Sequence, residues 1–178
     1  MRLLRVTIIL LALLVVGCAE TSGRPDTKPP RTVDSCKTTA NPETKATTES
    51  RETAQGAEVR TVTIDTSSGE KVEVWVEVAD NIVSRAFGLR YREHLPEDRG
   101  MLFAYTEEDD HTFVMEDTVI PLSIAFMDSE GCIVDIQDMK PLTGSYDSAK
   151  PAQYALEVNQ GFFEERGVEV GDRARLPV

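Results

Sequence analysis

Side chains that could hold a metal ion are few in this chain. It contains two histidines, His94 and His111, and three cysteines. Zinc needs three or four His, Cys or carboxylate ligands that converge in space, and neither histidine has a partner at short or helical spacing. Met115 and other methionines near His111 could supply soft ligands for copper, but methionine at strand spacing usually fills a hydrophobic core. We therefore predict no metal and no cofactor.

Catalysis would need a nucleophile or an acid–base pair in a recognisable arrangement. The sequence has no Gly-x-Ser-x-Gly turn, phosphate-binding loop or dinucleotide fingerprint. Glu116 and Asp117 are adjacent, and neighbouring residues of a strand point to opposite faces. A hydrolase or metal-dependent enzyme would need a dispersed site around His111, Asp117 and Glu157. The missing reactive constellation favours the other hypothesis, a non-catalytic module that binds a small ligand, a glycan or a protein.

The segment from His111 to Met127 carries most of these candidates. His111, Phe113 and Met115 fall on one side of an extended chain, whereas Pro121 excludes one continuous central strand. Residues 123–127 predict a second, deeply buried strand. Together with a later strand, this segment defines the predicted pocket residues, which are His111, Met115, Asp117, Thr118, Ser123 and Glu157.

Short strands are also predicted on both sides of this segment. Valines alternate with glutamates over residues 72–78, and residues 62–64 predict the hairpin partner of that strand. Strands are further predicted at residues 101–105, 133–137, 154–158 and 174–176. We interpret the acidic run 107–110 as an exposed turn and residues 141–151 as a polar loop.

Two short helices complete the predicted elements. The first begins after an Asp80 N-cap and repeats Ile82, Ala86 and Leu89 at helical spacing. The second covers residues 161–166. About eight short strands and two short helices, without β–α–β alternation, predict a mainly β domain that forms a β-sandwich or a partly open barrel.

The first 17 residues have the pattern of a secretory signal. Arg2 and Arg5 precede a predominantly apolar run over residues 6–16, which is shorter than the roughly 20 residues of a membrane span. Val15-Val16-Gly17-Cys18 resembles the bacterial lipobox, whose cysteine is lipidated. The sequence predicts a signal peptide at 1–17 and a membrane anchor through a lipid on Cys18. The predicted location is therefore the extracytoplasmic cell envelope.

The composition changes between the anchor and the domain. Residues 18–58 are rich in Thr, Ser, Pro, Lys and Glu, and Val33 is their one large aliphatic residue. Such a segment buries too little surface to offset its chain entropy. We predict a disordered tether of about 40 residues with an r.m.s. reach of roughly 35 Å. Residues 59–178 then form a single domain, which we expect to be a monomer.

Acidity is concentrated in the predicted domain. Residues 59–178 contain 24 Asp and Glu against 11 Lys and Arg, which gives a net charge of −13. A surface of this charge argues against nucleic acid and anionic lipid as partners. A small ligand or an envelope protein remains the expected partner.

The cysteines leave one pairing to consider. If Cys18 is lipidated, Cys36 remains in the tether and Cys132 in the domain, and an exported location permits a disulfide between them. Cys132 shares its predicted strand face with Val134 and Ile136, which indicates a buried thiol. We favour a reduced Cys132 over a bridge to a flexible segment.

Three separated blocks resemble the family called domain of unknown function 192. They are GLRYREHLPEDRGMLF (88–103), HTFVMEDTVIPLSIAF (111–126) and YALEVNQGFFEERGVEVGD (154–172). The resemblance covers residues 59–178. It implies a compact β-sandwich of jelly-roll type with short helices, often in exported proteins, and it implies no activity. Val114, Asp117 and Ser123 stand where the family usually has Trp, Asn and Asp, so a shared polar site would be altered here.

Overall fold

The computed structural model describes Cys36, the backbone of Arg51–Glu52 and residues 58–178. The predicted signal peptide, Cys18 and most of the predicted tether lie outside these residues. Within the described part, no helix is long and apolar enough to cross a membrane.

The described chain is mainly β, as the sequence predicts, with two short helices. In chain order the elements are β1 (Arg51–Glu52), β2 (Glu58–Asp65), β3 (Lys71–Ala79), α1 (Ile82–Phe87), β4 (Arg99–Asp109), β5 (Thr112–Val114), β6 (Leu122–Met127), β7 (Ile133–Met139), β8 (Ser145–Asp147), β9 (Ala152–Asn159), α2 (Phe162–Glu165) and β10 (Arg173–Arg175).

One curled sheet organises these elements. Its strands follow the order β1-β2-β3-β4-β9-β6-β7, and β10 also pairs with β2. Strands β5 and β8 form a separate two-stranded sheet. The main sheet curves into a half-barrel, so the partly open barrel in our prediction is confirmed.

The pairing of β3 with β4 corrects the expectation that β–α–β alternation is absent. These strands are parallel, in a register that runs from Trp75 opposite Arg99 to Ala79 opposite Phe103. Parallel neighbours need a crossover of about a dozen residues or more. Residues 80–98 provide this crossover. Its helix, α1, is too short to produce a recognisable pattern of alternating strands and helices in the sequence.

Two hydrophobic clusters form on opposite faces of the main sheet. The first cluster includes alternate residues of β2, β3 and β6, and α2 covers it with two buried phenylalanines, Phe162 and Phe163. The second cluster takes the intervening residues of β4, β6 and β9 and is covered by β5 and adjoining loops; it contains Met101, Phe103, Phe113, Met115, Ile124 and Phe126. Because strand side chains alternate between faces, β6 serves both clusters and all six of its residues are buried.

Four local predictions need correction. Asn81, not Asp80, caps α1, because its side chain accepts the backbone N–H groups of Val83 and Ser84. The repeat of Ile82 and Ala86 does not face the core, since both residues are exposed. The acidic run is exposed as expected, but most of it belongs to β4 rather than to a turn. The predicted polar loop contains a short strand, β8, which pairs with β5 although its polar composition does not indicate a strand.

Candidate functional site

Ser123 and Glu157 project from opposite faces of the main sheet. In the register of β6 and β9, Ile124 lies opposite Glu157, and Ser123 lies opposite Val158. Directly opposed residues share a face, so Glu157 points towards the second cluster and Ser123 towards the first. The Ser123 hydroxyl donates to Asp138 Oδ1 at 2.5 Å and accepts from the Gly161 N–H at 3.0 Å. Ser123 therefore links β6, β7 and the beginning of α2.

Glu157 is a carboxyl group with apolar surroundings. Its side chain is 6% exposed and lies beside Met101 and Ile124 in the sheet register. Burial raises the pKa of Glu157 to about 8, because desolvation penalises the charged form. Glu157 is therefore largely neutral below pH 8. Burial is also the main cause of the raised pKa of Tyr105; Arg85 opposes that shift and the Glu157 carboxylate adds to it.

His111 is half-buried and held on three sides. Its ring stacks on Tyr105 with the ring centroids 3.6 Å apart. Its Nε2 lies 2.9 Å from the Ala152 carbonyl oxygen, so the N–H at that nitrogen donates to β9. The His111 backbone N–H donates to Ser148 Oγ, and the Ser148 N–H donates back to the His111 carbonyl. Arg85 lies on Tyr105 at 4.8 Å from its ring centroid. These contacts join the loop before β5 to β9.

Met115 and Thr118 are both buried and neither lines an open surface. Met115 is part of the second cluster. The Thr118 N–H donates to the Met115 carbonyl at 3.2 Å, and its hydroxyl donates to the Glu116 carbonyl at 3.4 Å. These bonds close a tight turn that ends β5 and exposes Asp117 at its tip.

Asp117 lies at the surface in a left-handed backbone conformation, with φ of 58°. Its carboxylate accepts the Tyr91 hydroxyl at 2.7 Å and lies 3.6 Å from the Arg90 guanidinium. Its carbonyl accepts the Tyr91 N–H at 2.9 Å. Asp and the Asn that the resembling family usually has here are the non-glycine residues that tolerate this conformation best, so the turn geometry explains the residue type.

Three non-glycine residues of the described chain have positive φ, and hydrogen bonds place them together. Tyr91 (62°) and Asp117 (58°) bond to each other, while the N–H of Leu142 (59°) donates to the carbonyl of Thr118 at 3.0 Å. Tyr and Leu in this region are strained, by about 1–3 kcal/mol each. Such strain concentrates at functional sites, which makes this cluster of loops a candidate binding region.

Helix α1 and the loops that carry these strained residues expose several apolar side chains. We define the apolar surface as Ile82, Val83, Phe87, Tyr91, Val119 and Leu142, each at least 46% exposed. The Phe87 and Tyr91 rings are 6.0 Å apart. Helix α1 buries none of its residues, so its apolar side chains contribute nothing to either cluster. Sequence reasoning missed this surface because it used the helical spacing of Ile82, Ala86 and Leu89 only to place α1.

The structure does not bring the predicted pocket residues into one pocket. Ser123 points towards the first cluster and Glu157 towards the second. Asp117 lies at the surface, and His111 links the loop before β5 to β9. The dispersed enzyme site would need His111, Asp117 and Glu157 together. His111 and Glu157 share Tyr105 as a neighbour, whereas Asp117 bonds to Tyr91 at the surface. Among residues 36, 51–52 and 58–178, no group of three or more His, Cys, Asp or Glu side chains could hold a metal ion.

Comparisons with known proteins agree with the resemblance of the three sequence blocks. The profile of the DUF192 family, described as "Uncharacterized ACR", matches residues 63–176. A UPF0127 protein of Pyrococcus abyssi is 32% identical over 117 residues, which cover 63% of this chain and 94% of that protein. A UPF0127 protein of Pyrococcus furiosus is 28% identical over 117 residues, or 62% of this chain and 93% of that protein.

Two crystal structures share the fold. A protein of unknown function from Novosphingobium aromaticivorans has a TM-score of 0.68 and 28% identity, over 75% of this chain and 99% of that one. A Sinorhizobium meliloti protein, provisionally described as a transcription regulator, has a TM-score of 0.63 and 35% identity, over 65% of this chain and 91% of that one.

Proposed function

The chain belongs to the DUF192 family, and we propose that it is a non-catalytic protein-binding module, held outside the cytoplasm by a lipid on Cys18. The observation that carries the binding role is the apolar surface, in which α1 and two loops present aliphatic and aromatic side chains to solvent. Large exposed apolar patches on soluble domains mark interaction sites. The strained Tyr91 and Leu142 lie within this one.

The composition of the apolar surface favours a protein over a glycan. Ile82, Val83, Val119 and Leu142 are aliphatic, and sugar hydroxyl groups packed against them would lose their hydrogen bonds. Phe87 and Tyr91 beside the Asp117 carboxylate would suit a sugar ring, so a glycan is the second candidate. Aliphatic and aromatic side chains together match the centre of a protein–protein interface.

Acidic side chains at the edge of this surface indicate what kind of partner it would accept. Glu116 and Asp117 lie next to Tyr91, and Arg90 approaches both carboxylates, at 3.4 and 3.6 Å. The surrounding domain has a net charge of −13. The complementary partner is an envelope protein whose contact surface is apolar at its centre and basic at its rim. The same charge disfavours DNA, so the description of the Sinorhizobium relative is not extended to this chain.

The alternative of a hydrolase or metal-dependent enzyme around His111, Asp117 and Glu157 has less support. His111 donates to Ala152, Asp117 accepts from Tyr91, and Glu157 lies in the second cluster. His111 and Asp117 are held by different parts of the fold, at β9 and at the Tyr91 loop.

Site-specific photo-crosslinking in cells tests the binding proposal. A benzophenone side chain placed at Phe87 or at Leu142 is expected to capture the same partner. The matched control places it at Glu164 of α2, which is also exposed but belongs to the other side of the sheet. The captured protein should bind the purified chain, and Phe87→Asp should abolish binding without lowering the Tm.

Two outcomes would contradict the proposal. One is capture of that protein from Glu164 as well, and the other is capture of nothing from either apolar position. Anchoring is tested separately, by labelling cells with a fatty acid. We expect Cys18→Ala to remove the label, and a label that survives the substitution would refute the lipid anchor.

A further inference from the structure

Two cysteines meet beside the beginning of β7. Cys132 is buried, immediately precedes that strand and forms an isolated antiparallel β-bridge with Arg173 of β10. Cys36 is half-buried, and its Sγ lies 3.8 Å from the Gly171 carbonyl and 4.0 Å from the Asp172 carbonyl. The sequence places these cysteines 96 positions apart, so this meeting is a product of the fold.

Backbone and side-chain contacts both connect the two thiols. The Asp172 carbonyl that the Cys36 thiol faces also accepts the N–H of Ile133, the residue after Cys132, at 2.9 Å. Burial, and then a hydrogen bond between the Cys132 and Cys36 side chains, raises the pKa of the Cys132 thiol to about 12. A hydrogen bond with Cys36 likewise raises the pKa of Arg173. Cys36 thus contacts Cys132 itself and also Arg173, which forms the β-bridge with Cys132.

We infer that Cys36 and Cys132 form a disulfide that fastens the segment before the domain to the turn between β6 and β7. The inference rests on the proposed location outside the cytoplasm, because disulfides persist in oxidising compartments. The sequence argued for a reduced Cys132 because Cys36 lies in a segment predicted to be flexible. The contacts of Cys36 with Gly171 and Asp172 remove that objection.

The bond would form by thiol–disulfide exchange with a disulfide-bearing oxidant. The Cys36 thiolate attacks one sulfur of the oxidant, and the other sulfur leaves as a thiolate. The Cys132 sulfur then gives up its proton and attacks the Cys36 sulfur of the mixed disulfide, which releases the second oxidant thiolate. The two cysteines are oxidised together, the oxidant is reduced to two thiols, and the cysteine protons end on those thiols. Since the Cys132 thiol has a pKa of about 12, the second step is slow and should accelerate as the pH rises.

This bond would also bring the domain closer to the membrane. Without it, about 40 residues separate Cys18 from the domain, with an r.m.s. reach of roughly 35 Å. With Cys36 fixed to Cys132, the free length falls to about 18 residues and the reach to roughly 23 Å. The disulfide would thereby set the distance from the lipid at which the apolar surface can meet a partner.

The test uses the full chain in detergent with Cys18→Ser, so that Cys36 and Cys132 are the remaining cysteines. The reduced protein is exposed to glutathione disulfide at pH 8, and samples are alkylated over time. We expect both alkylatable thiols to be lost, at a rate that increases with pH, and a proteolytic fragment that joins Cys36 to Cys132. The same oxidation in guanidinium chloride should be at least tenfold slower, because unfolding removes the proximity. Oxidation should raise the Tm by roughly 10 °C.

The matched control moves the thiol by three positions along the chain, from residue 36 to residue 33. In a Cys36→Ser, Val33→Cys chain, oxidation should proceed no faster when folded than in guanidinium chloride. The inference is overturned if the native pair stays alkylatable, if it forms only intermolecular dimers, or if the shifted cysteine reacts equally fast.

The location is tested separately, in cells. Thiols are trapped with acid before lysis, and the bond is scored alongside membrane fractionation. If the purified chain forms the bond but the cellular protein is reduced and outside the membrane fraction, the proposed location is wrong. If the chain is in the membrane fraction and still reduced, the disulfide is wrong.

Discussion

The two faces of the main sheet are built by the same strands but solve different problems. The first cluster is an apolar layer, mostly of Val, Ile, Leu and Phe, closed by α2, and the Ser123 hydroxyl on this face is hydrogen-bonded as donor and acceptor. The second cluster is covered by loops and contains Glu157, and the adjoining surface carries strained and exposed apolar residues. The difference indicates that the first face stabilises the fold. The second face keeps a buried carboxyl group and strained backbone that lower stability, which is typical of a functional region.

The largest expected effect separates a phenylalanine of the first cluster from one of the apolar surface. Phe162→Ala should lower the free energy of unfolding by about 4 kcal/mol, because it removes a buried ring and leaves a cavity. Phe87→Ala should change it by less than about 0.5 kcal/mol, because that ring is already 58% exposed. Denaturant titration of both variants makes the measurement. Equal losses would erase the distinction between the two regions.

A second effect should appear as a pH dependence confined to the second face. The folded pKa of Glu157, about 8, is above the ordinary value of 4.5, so the folded state binds this proton more tightly than the unfolded state. Its contribution to stability is complete below about pH 4.5 and is lost as the pH rises towards 8. We expect Glu157→Gln to be more stable than the parent chain at pH 8.5, by a few kcal/mol.

The comparison at low pH supplies the control for Glu157. At pH 5 the parent carboxyl group is already neutral, so the two chains should differ little in thermal unfolding. A constant difference between pH 5 and pH 8.5 would show that Glu157 does not titrate over that range.

His111 should have an intermediate effect, because it links the cover of the second face to β9. His111→Gln loses the stacking on Tyr105 and misplaces the donor to Ala152. The expected loss in the free energy of unfolding is about 1–3 kcal/mol, with no change in metal content by elemental analysis. Unchanged stability with loss of a bound metal would support a working metal site at His111 instead.

The smallest effect should be a gain in stability at Leu142. Leu142 has φ of 59° and is 63% exposed. Leu142→Gly relieves the left-handed strain of about 1–2 kcal/mol, against a glycine entropy cost of about 0.5–1 kcal/mol. We expect the Tm to rise slightly while affinity for the captured partner falls. A lower Tm would mean that Leu142 packs against the domain rather than being kept for binding.

Strands of both faces could be predicted from the sequence, but their pairing could not. The alternation of valines and glutamates in β3 and the apolar run of β6 predict buried strands directly. The parallel pairing of β3 with β4 could not be predicted, because α1 is too short to show a crossover helix. Strand β8 was missed because its partner β5 lies more than 30 positions earlier, and local composition does not register distant pairing.

The predicted pocket residues lie in different parts of the structure for a related physical reason. Asp117, Thr118 and Ser123 are close in the sequence, but a tight turn and the alternation of β6 send their side chains in different directions. Glu157 was selected for its family block, and its burial depends on strands β4 and β6 that flank it. Positive φ at Tyr91 and Leu142 has no signal in the residue types, since neither Tyr nor Leu is typical of that conformation.

The position of β9 between β4 and β6 has a consequence for the order in which the chain can fold. Strands β4 and β6 are synthesised first but do not pair with each other, because β9 lies between them and hydrogen-bonds to both. Until β9 has emerged, the two earlier strands have open edges and no shared neighbour. Pairings over more than 50 positions, such as Gly100 with Val158, make formation of the sheet slow. Completion of the main sheet therefore waits for β9, which follows both β4 and β6 in the chain.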